Sequence, residues 1–466
     1  MNSKLPATWF GQKKVSELLL NAKKLYPSQA PTTVKPKAIL VPHAGWEYSG
    51  LCAASGYASF LNNSLDPINN IEYVIAISTY HKGDSGVFTT DKSNHLPSYI
   101  KIDKDLAKEH SLQIQLPFIE YCFPLAKILP IFPGNMSQNQ MNKLAKFLDT
   151  FYNKHKDKCV WVINTDFLHA YPDTEFEYSL PTSNFLLHML EIEKQFYELL
   201  LNIKNNSNQQ LNTLMKKNTK YATQPTICGI NALRLWCATD FSKQILGRLL
   251  CHYTSANMDT PLKYPPHKKG KVVGYCSIAY YNYDSKKLSS YNLQHRLSKF
   301  EELLLIDCAK RSVKIQDTTI LPRIVCPSFL TKAGVFVTLK INDKLRGCIG
   351  NYAPNDTILN NIPLYANKAA YHDSRFSPLK SIEFKSVSWS INLLKSKKKI
   401  KNLTEWNLGK DGIIVFGAIF LPSVPTEQGW NKEETLQHLS QKAGRNKNDW
   451  KKTDTDIYSI PGYEFM

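Results

Sequence analysis

At 466 residues the chain is longer than one hydrophobic core usually supports, so two or three domains are expected. A content of 43% hydrophobic and 21% charged residues excludes a disordered chain. The net charge of +19 admits nucleic acid, anionic substrates or an acidic partner.

The chain begins MNSKLPATWFGQKK, with no apolar segment after its first lysine, so no secretory signal is expected. No apolar run approaches the roughly 18–20 residues of a membrane-spanning helix. These features predict a cytoplasmic protein with no membrane partner. Short apolar runs then read as buried strands: Lys37–Val41, Glu72–Ile77, Lys127–Phe132 and Cys159–Ile163. Between the last two, Leu144, Phe147, Leu148 and Phe151 recur at helical spacing. Strands alternating with such helices predict an α/β domain with a largely parallel sheet. Residues 201–216 read as a polar loop or helix end, and Val272–Tyr281 as a closing strand.

The polar stretch after Tyr281 places a boundary near 285, giving expected domains 1–285 and 286–466. A helix is expected over Gln294–Arg311, with Leu297, Phe300, Leu303, Leu304 and Ile306 as its apolar face. Strand-like runs follow at Gly334–Ile341, Ser386–Leu394 and Ile413–Leu421, then a helix near 431–443. That mixture predicts a smaller α+β domain. The ten cysteines form no Cys-x-x-Cys pair, which argues against zinc knuckles and a disulfide framework. The positive charge is spread out apart from the run Lys395–Lys401. No helix-turn-helix, RNP or zinc-finger pattern accompanies it, so nucleic acid is not the expected partner.

Polar residues sit just past the predicted strands: His43 in Pro42-His43-Ala44-Gly45, His81 after a short turn, and Asp166 and His169 in Asn164-Thr165-Asp166-Phe167-Leu168-His169. In open α/β sheets ligands bind outside the carboxyl ends of the strands, so these groups can converge on one pocket. Imidazole and carboxylate suit iron, zinc or copper. Proton transfer without a metal uses the same residues. Each histidine taken singly also reads as an ordinary loop or core residue.

Residues 42–50 (Pro-His-Ala-Gly-Trp-Glu-Tyr-Ser-Gly), Glu109–Phe118, Thr165–His169 and Thr226-Ile227-Cys228-Gly229 resemble, in order, the signatures of the Memo family. The resemblance covers about 7–281 and implies a fold similar to the class III extradiol dioxygenases. It implies His43, His81 and Cys228 as metal ligands, with His110, Asp166 and His169 lining the cavity as catalytic or supporting groups. A cysteine would stand where the dioxygenases use glutamate, a softer set that favours reduced copper or redox-active iron. Where the family has Gly-Pro before its second histidine, this chain has Ser78-Thr79-Tyr80-His81, and Gln113 replaces a commonly acidic residue.

Leu345-Arg346-Gly347-Cys348-Ile349-Gly350 offers a cysteine between glycines that permit tight turns and close approach. Arg346 can grip a carboxylate or phosphate or make Cys348 reactive by lowering its pKa; a purely structural hairpin is the other reading. Together with Ala369–Leu379, Gly409–Ile413, Phe420–Pro425, Trp430 and Lys442-Ala443-Gly444, this motif resembles the A protein of the AmmeMemoRadiSam system over about 295–463. That resemblance implies a metal-binding, redox-active or dioxygenase-like component working with a radical SAM enzyme, acting on a small molecule or peptide, with Cys348 and Arg346 contributing a second set of catalytic groups. The alternatives are a non-catalytic peptide- or protein-binding adapter and nucleic-acid binding by the basic C-terminal domain.

Overall fold

In a computed structural model, which describes residues 10, 14–26, 35–90, 96–172, 178–180, 185–218, 227–255, 272–282, 297, 299–320, 322 and 327–466, the chain divides into two units, Met1–Phe300 and Glu301–Met466. The expected boundary near residue 285 lies outside the described residues.

The first unit contains, in chain order, α1 (Val15–Leu25), β1 (Ala38–Val41), α2 (Trp46–Ala58), β2 (Tyr73–Ile77), β3 (Val87–Thr89), β4 (Lys101–Ile102), α3 (His110–Gln113), α4 (Leu116–Cys122) and β5 (Lys127–Pro133). It continues with α5 (Gln138–Lys154), β6 (Cys159–Asn164), β7 (His169–Pro172), β8 (Tyr178–Leu180), α6 (Phe185–Leu201), α7 (Ser207–Asn218), α8 (Ile230–Ala238), β9 (Ile245–Thr254) and β10 (Val272–Asn282). One sheet runs β4-β3-β5-β2-β6-β1-β10-β7-β8, with β9 also paired to β10. Its centre, β5-β2-β6-β1, is parallel, as the intervening helices require. The flanks are mixed: β10 is antiparallel to β1, β7 and β9, and β3 is antiparallel to β5. The expectation of a largely parallel sheet therefore holds only for the centre.

Alternate residues of these strands serve opposite faces. Ala38 and Leu40 pack with Ile75, Ile77, Trp161 and Trp236. Ile39 and Val41 pack with Leu19, Trp46, Tyr57 and Phe118. Burial on both faces is why the strands read as continuous apolar runs. α5 starts on a capping box in which Ser137 and Gln140 satisfy each other's backbone N–H. Residues 207–218 form a helix rather than a polar loop, because Leu211 and Met215, one turn apart, are both buried. At the strand ends the register is level: Val41 lies beside Asn164, and Ile77 beside Ile163.

The second set of elements is α9 (Lys299–Ile315), β11 (Gly334–Ile341), β12 (Lys344–Asn351), α10 (Ile358–Tyr371), β13 (Val387–Leu394), β14 (Lys398–Lys399), β15 (Asp411–Val415), β16 (Ala418–Phe420), α11 (Ser423–Glu427), α12 (Lys432–Lys442) and β17 (Ile457–Phe465). Its sheet runs β12-β11-β13-β17-β15-β16, with β14 paired to β17, and every pairing is antiparallel. α9 buries Leu304, Leu305 and Ile306, whereas Leu303, expected inside, is 45% exposed; residues 294–296 of the expected helix lie outside the described residues. The run Ile413–Leu421 is a hairpin, not one strand. Phe416 and Gly417 both take positive φ, 51° and 78°, the two left-handed residues of a tight hairpin turn. In the lysine run, Lys397 lies over the Tyr458 ring and Lys399 pairs with Asp456. Among the described residues no helix is long and apolar enough to cross a membrane.

Candidate metal centre

Three adjacent strands, β2, β6 and β1, deliver their C-terminal residues to one place. His43 follows β1 and is almost fully buried, with 1% of its surface exposed. Its backbone N–H donates to Asp166 Oδ1 at 2.8 Å. The carbonyl of Pro42 before it accepts from Gln115 Nε2 at 2.8 Å. The ring Nδ1 lies 3.1 Å from Asn164 Oδ1, an oxygen that also accepts from the Thr79 N–H. An acceptor there places the proton on Nδ1 and leaves the Nε2 lone pair facing inward. Cys228 Sγ sits 3.4 Å from that Nε2, and Asp166 Oδ2 lies 3.8 Å from it. Burial pushes the His43 pKa well below its usual value, with repulsion from His81, His110 and His169 adding to it. The imidazole is therefore neutral, the form that ligates a metal.

His81 and His110 form the more open side. Their rings stack 4.4 Å apart and stand nearly edge-on to His43, at 5.3 and 5.4 Å. Glu109 Oε1 joins them, 2.8 Å from His81 Nδ1 and 3.1 Å from His110 Nδ1. Burial pushes the Glu109 carboxyl up, but the hydrogen bonds and charge of the two histidines outweigh it and hold it well below the ordinary carboxylate range. Ser111 Oγ donates to the Thr79 carbonyl at 2.7 Å and so ties the two histidine loops together. Asp166, on the floor, is pushed up to about 6 by burial, opposed by the His43 N–H and by His110. His169 Nε2 lies 3.9 Å from Asp166 Oδ2.

Close packing fixes Cys228. It precedes Gly229, the residue that opens α8. Gly229 donates its N–H to Thr165 Oγ1 at 3.0 Å, and a Cβ at Gly229 would lie 2.4 Å from Thr165 Cβ. Beneath the Asp166–His169 loop, Leu168 N–H donates to Glu193 Oε1 at 3.0 Å. The other Glu193 oxygen lies 2.7 Å from His252 Nε2, both side chains being at most 1% exposed.

The structure thus brings together all six residues expected in the first domain. Potential ligand atoms of five of them form two overlapping triads, His43–His81–His110 and His43–Asp166–Cys228, each within 4.8 Å, with His169 outside both. The trio His43, His81 and Cys228 is not itself one of them, since His81 and Cys228 fall in different triads that share His43. The donor set of imidazole, thiol and carboxylate, around a neutral histidine whose other nitrogen is already held, fits a transition metal. Sequence reasoning did not single out Glu109 or Asn164. The signal for Glu109 was a carboxylate directly before His110.

The second unit corrects the reading of Arg346. Arg346 is the extra residue of a bulge in β12, where the register with β11 shifts. It grips Glu383 through Nε and Nη2 at 2.9 and 3.0 Å and donates to the Ser377 carbonyl at 2.8 Å. Its fork is occupied within the fold and does not act on Cys348. The glycines of the motif do not make turns either. They lie in an extended strand, where a Cβ at Gly347 would come 2.1 Å from the Ala369 carbonyl of α10 and one at Gly350 would come 2.2 Å from the Val335 carbonyl of β11, so they serve close packing within the fold. Cys348 accepts from Thr338 Oγ1 at 3.2 Å, and its N–H donates to Asp373 Oδ2 at 2.8 Å. Burial pushes its thiol up; the Thr338 bond, Arg375 and Lys442 oppose that only in part, contrary to the expectation of a lowered pKa.

Residues 89–278 match the Memo-like protein family and residues 293–463 match AMMECR1. The chain thus carries a Memo-like domain followed by an AMMECR1 domain. A protein of Aquifex aeolicus is 36% identical over 152 residues, covering 30% of this chain and 78% of that protein. One of Nanoarchaeum equitans is 32% identical over 145 residues, covering 29% and 81%. The crystal structure of an uncharacterised Pyrococcus horikoshii protein is 29% identical, with a TM-score of 0.34, over 35% of this chain and 89% of that one.

Proposed function

We propose that the Memo-like domain holds one iron or copper ion and serves as a redox-active component that works with a radical SAM enzyme on a small molecule or peptide. The observation that carries the reading is His43: buried and neutral, anchored at Nδ1 by Asn164, with Nε2 facing Cys228 Sγ at 3.4 Å. His43, His81 and Cys228 would hold the ion, with His110 and Asp166 within reach of the same place. A thiolate beside imidazoles favours reduced copper or redox-active iron over harder ions, and the ion would supply one-electron chemistry when bound.

The chain's own groups do the rest. Glu109 orients His81 and His110 through their Nδ1 atoms, leaving each Nε2 for a ligand or substrate. Asp166 and His169, 3.9 Å apart at Oδ2 and Nε2, would pass a proton at the floor through one intervening water or hydroxyl of the substrate. His81 and His110, the more exposed pair, face the substrate's approach. The Memo-like resemblance implies a fold similar to the class III extradiol dioxygenases, which favours iron, and the union of both domain types in one chain supports a shared reaction system.

Metal content of the untagged full chain, purified without oxygen, tests the reading. One equivalent of iron or copper is expected, lost in both His43→Ala and Cys228→Ser. Equal metal in the variants and the parent would sink it.

A further inference from the structure

Glu193 and His252 form a buried pair that the proposed chemistry leaves unused. Glu193 sits on α6 with none of its side chain exposed, and His252 sits on β9 with 1% exposed. One Glu193 oxygen lies 2.7 Å from His252 Nε2, and the other accepts the Leu168 N–H at 3.0 Å. Withdrawing a carboxylate from water is costly, and an apolar pair of similar volume usually packs as well. Packing alone therefore gives no reason for a carboxylate here, whereas its bond to the loop below the site does.

Leu168 lies in the loop that joins β6 to β7 and runs from Asp166 to His169. Hydrogen bonds pin the middle of that loop from two sides. Phe167 N–H donates to the Gly274 carbonyl at 2.8 Å, and Gly274 N–H donates to the Leu168 carbonyl at 2.9 Å. Leu168 N–H goes to Glu193, and the Phe167 ring stands edge-on to His252 with centroids 6.1 Å apart. Phe167 and Leu168 are fully buried, which settles the directions of their neighbours Asp166 and His169. Leu168 also forms an antiparallel bridge with Ile227, the residue before Cys228. One carboxylate thus bears on three site residues through a single peptide. Gly274 makes room for it, since a Cβ there would lie 1.7 Å from Glu193 Oε1.

We infer that Glu193, oriented by His252, is a positioning residue of the proposed centre, setting Asp166, His169 and Cys228 through the Leu168 peptide. The inference rests on the reading of those three as members of the centre, but the placement itself needs no metal. The acceptor oxygen is the group that acts, so glutamine, which keeps one, replaces glutamate, and an apolar side chain of similar volume does not.

The full chain, stripped of metal with a chelator, is treated with diethyl pyrocarbonate or with iodoacetamide. Peptide mass spectrometry follows His169 and Cys228, with His81 as the internal reference. Glu193→Ala leaves a cavity and a lone His252, so Glu193→Met/His252→Leu is made beside it. That exchange fills the space with apolar groups and should keep the urea transition of the first unit near the parent's. In both variants Leu168 N–H loses its acceptor, and modification of His169 and Cys228 should quicken about tenfold as the loop opens. His81 should react as in the parent, and Glu193→Gln should hold all three rates near the parent's. The inference is overturned if His169 and Cys228 keep the parent's rates in the double variant, or if Glu193→Gln is as reactive as Glu193→Ala. Absence of metal from the parent chain would sink the metal reading and leave these rates as they are, so the two failures are told apart.

Discussion

Gly229→Ala is the sharpest probe of how Cys228 is held. The new Cβ would lie 2.3 Å from Thr165 Oγ1, 2.4 Å from Thr165 Cβ and 2.5 Å from Thr79 Oγ1. A hydroxyl can rotate away, but Thr165 Cβ is fixed by its own backbone, so α8 or the Thr165 loop must shift. Gly229 has φ −94°, so alanine adds no backbone strain and the cost is steric. Overpacking of this kind costs about 1–3 kcal/mol, and losing the Gly229 N–H bond to Thr165 adds about 1 kcal/mol. The expected sum is about 2–4 kcal/mol, felt by the first unit alone. Urea unfolding of the full chain, followed by fluorescence, should show an earlier transition for that unit and an unchanged one for the other. Metal content should fall in parallel, because the shift moves Cys228 away from His43. Adding Thr165→Ala cannot relieve the Cβ contact, so the double variant should recover little. An unchanged first transition, or full recovery in the double variant, would refute the steric argument.

Glu109→Gln removes the carboxylate that orients His81 and His110, and metal affinity measured by competition with a chelator should fall about 10–100-fold. The depressed Glu109 pKa gives the parent stability that is present above the ordinary carboxylate range and lost as the pH falls through the lower folded value; the variant should lack this acid-side slope in pH-dependent melting. Arg346→Ala breaks the two-point grip on Glu383 and should lower the stability of the second unit by about 1–3 kcal/mol, read as an earlier urea transition of that unit. Asp373 is held down at about 2, first by its hydrogen bond with Arg375. Its contribution is therefore complete above pH about 4 and disappears as the pH falls through about 2. Asp373→Asn should cost about 1–2 kcal/mol at neutral pH and nothing at the acid end, read by chemical denaturation across pH.

The central strands were legible because each is a short apolar run bounded by polar residues, as Cys159–Asn164 shows. The strand ends carried the site with them, so His43, His81 and Asp166 could be placed in one region from sequence alone. Helix α7 was hidden because only Leu211 and Met215 mark its buried face among polar neighbours. The β15–β16 hairpin was hidden because Phe416, an ordinary apolar residue, takes the left-handed turn position. Glu109 escaped notice because its partner His81 is 28 residues away, and only the fold makes one carboxylate serve two imidazoles. Arg346 misled for the converse reason. It stands two positions before Cys348, yet its partner Glu383 is 37 residues on, and the bulge that aims it there has no sequence mark.

The level ending of β1, β6 and β2 has a consequence for how this centre tolerates change. Neighbouring strands lie about 4.8 Å apart by their hydrogen-bond ladder, so the ladder spaces Asn164 and the strand ends from which the short loops carrying His43 and His81 set out. Exchanging one donor for another at these positions would change the donor set of the proposed centre without moving the frame. A slip of β6 by a single residue against β1 would do the opposite: with Val41 no longer beside Asn164, alternate side chains would swap faces and the anchor of His43 would turn away. The ion preference of the proposed centre would thus be open to point substitution, whereas the convergence of its residues depends on strand register, and an insertion or deletion inside β6 would erase it at one stroke.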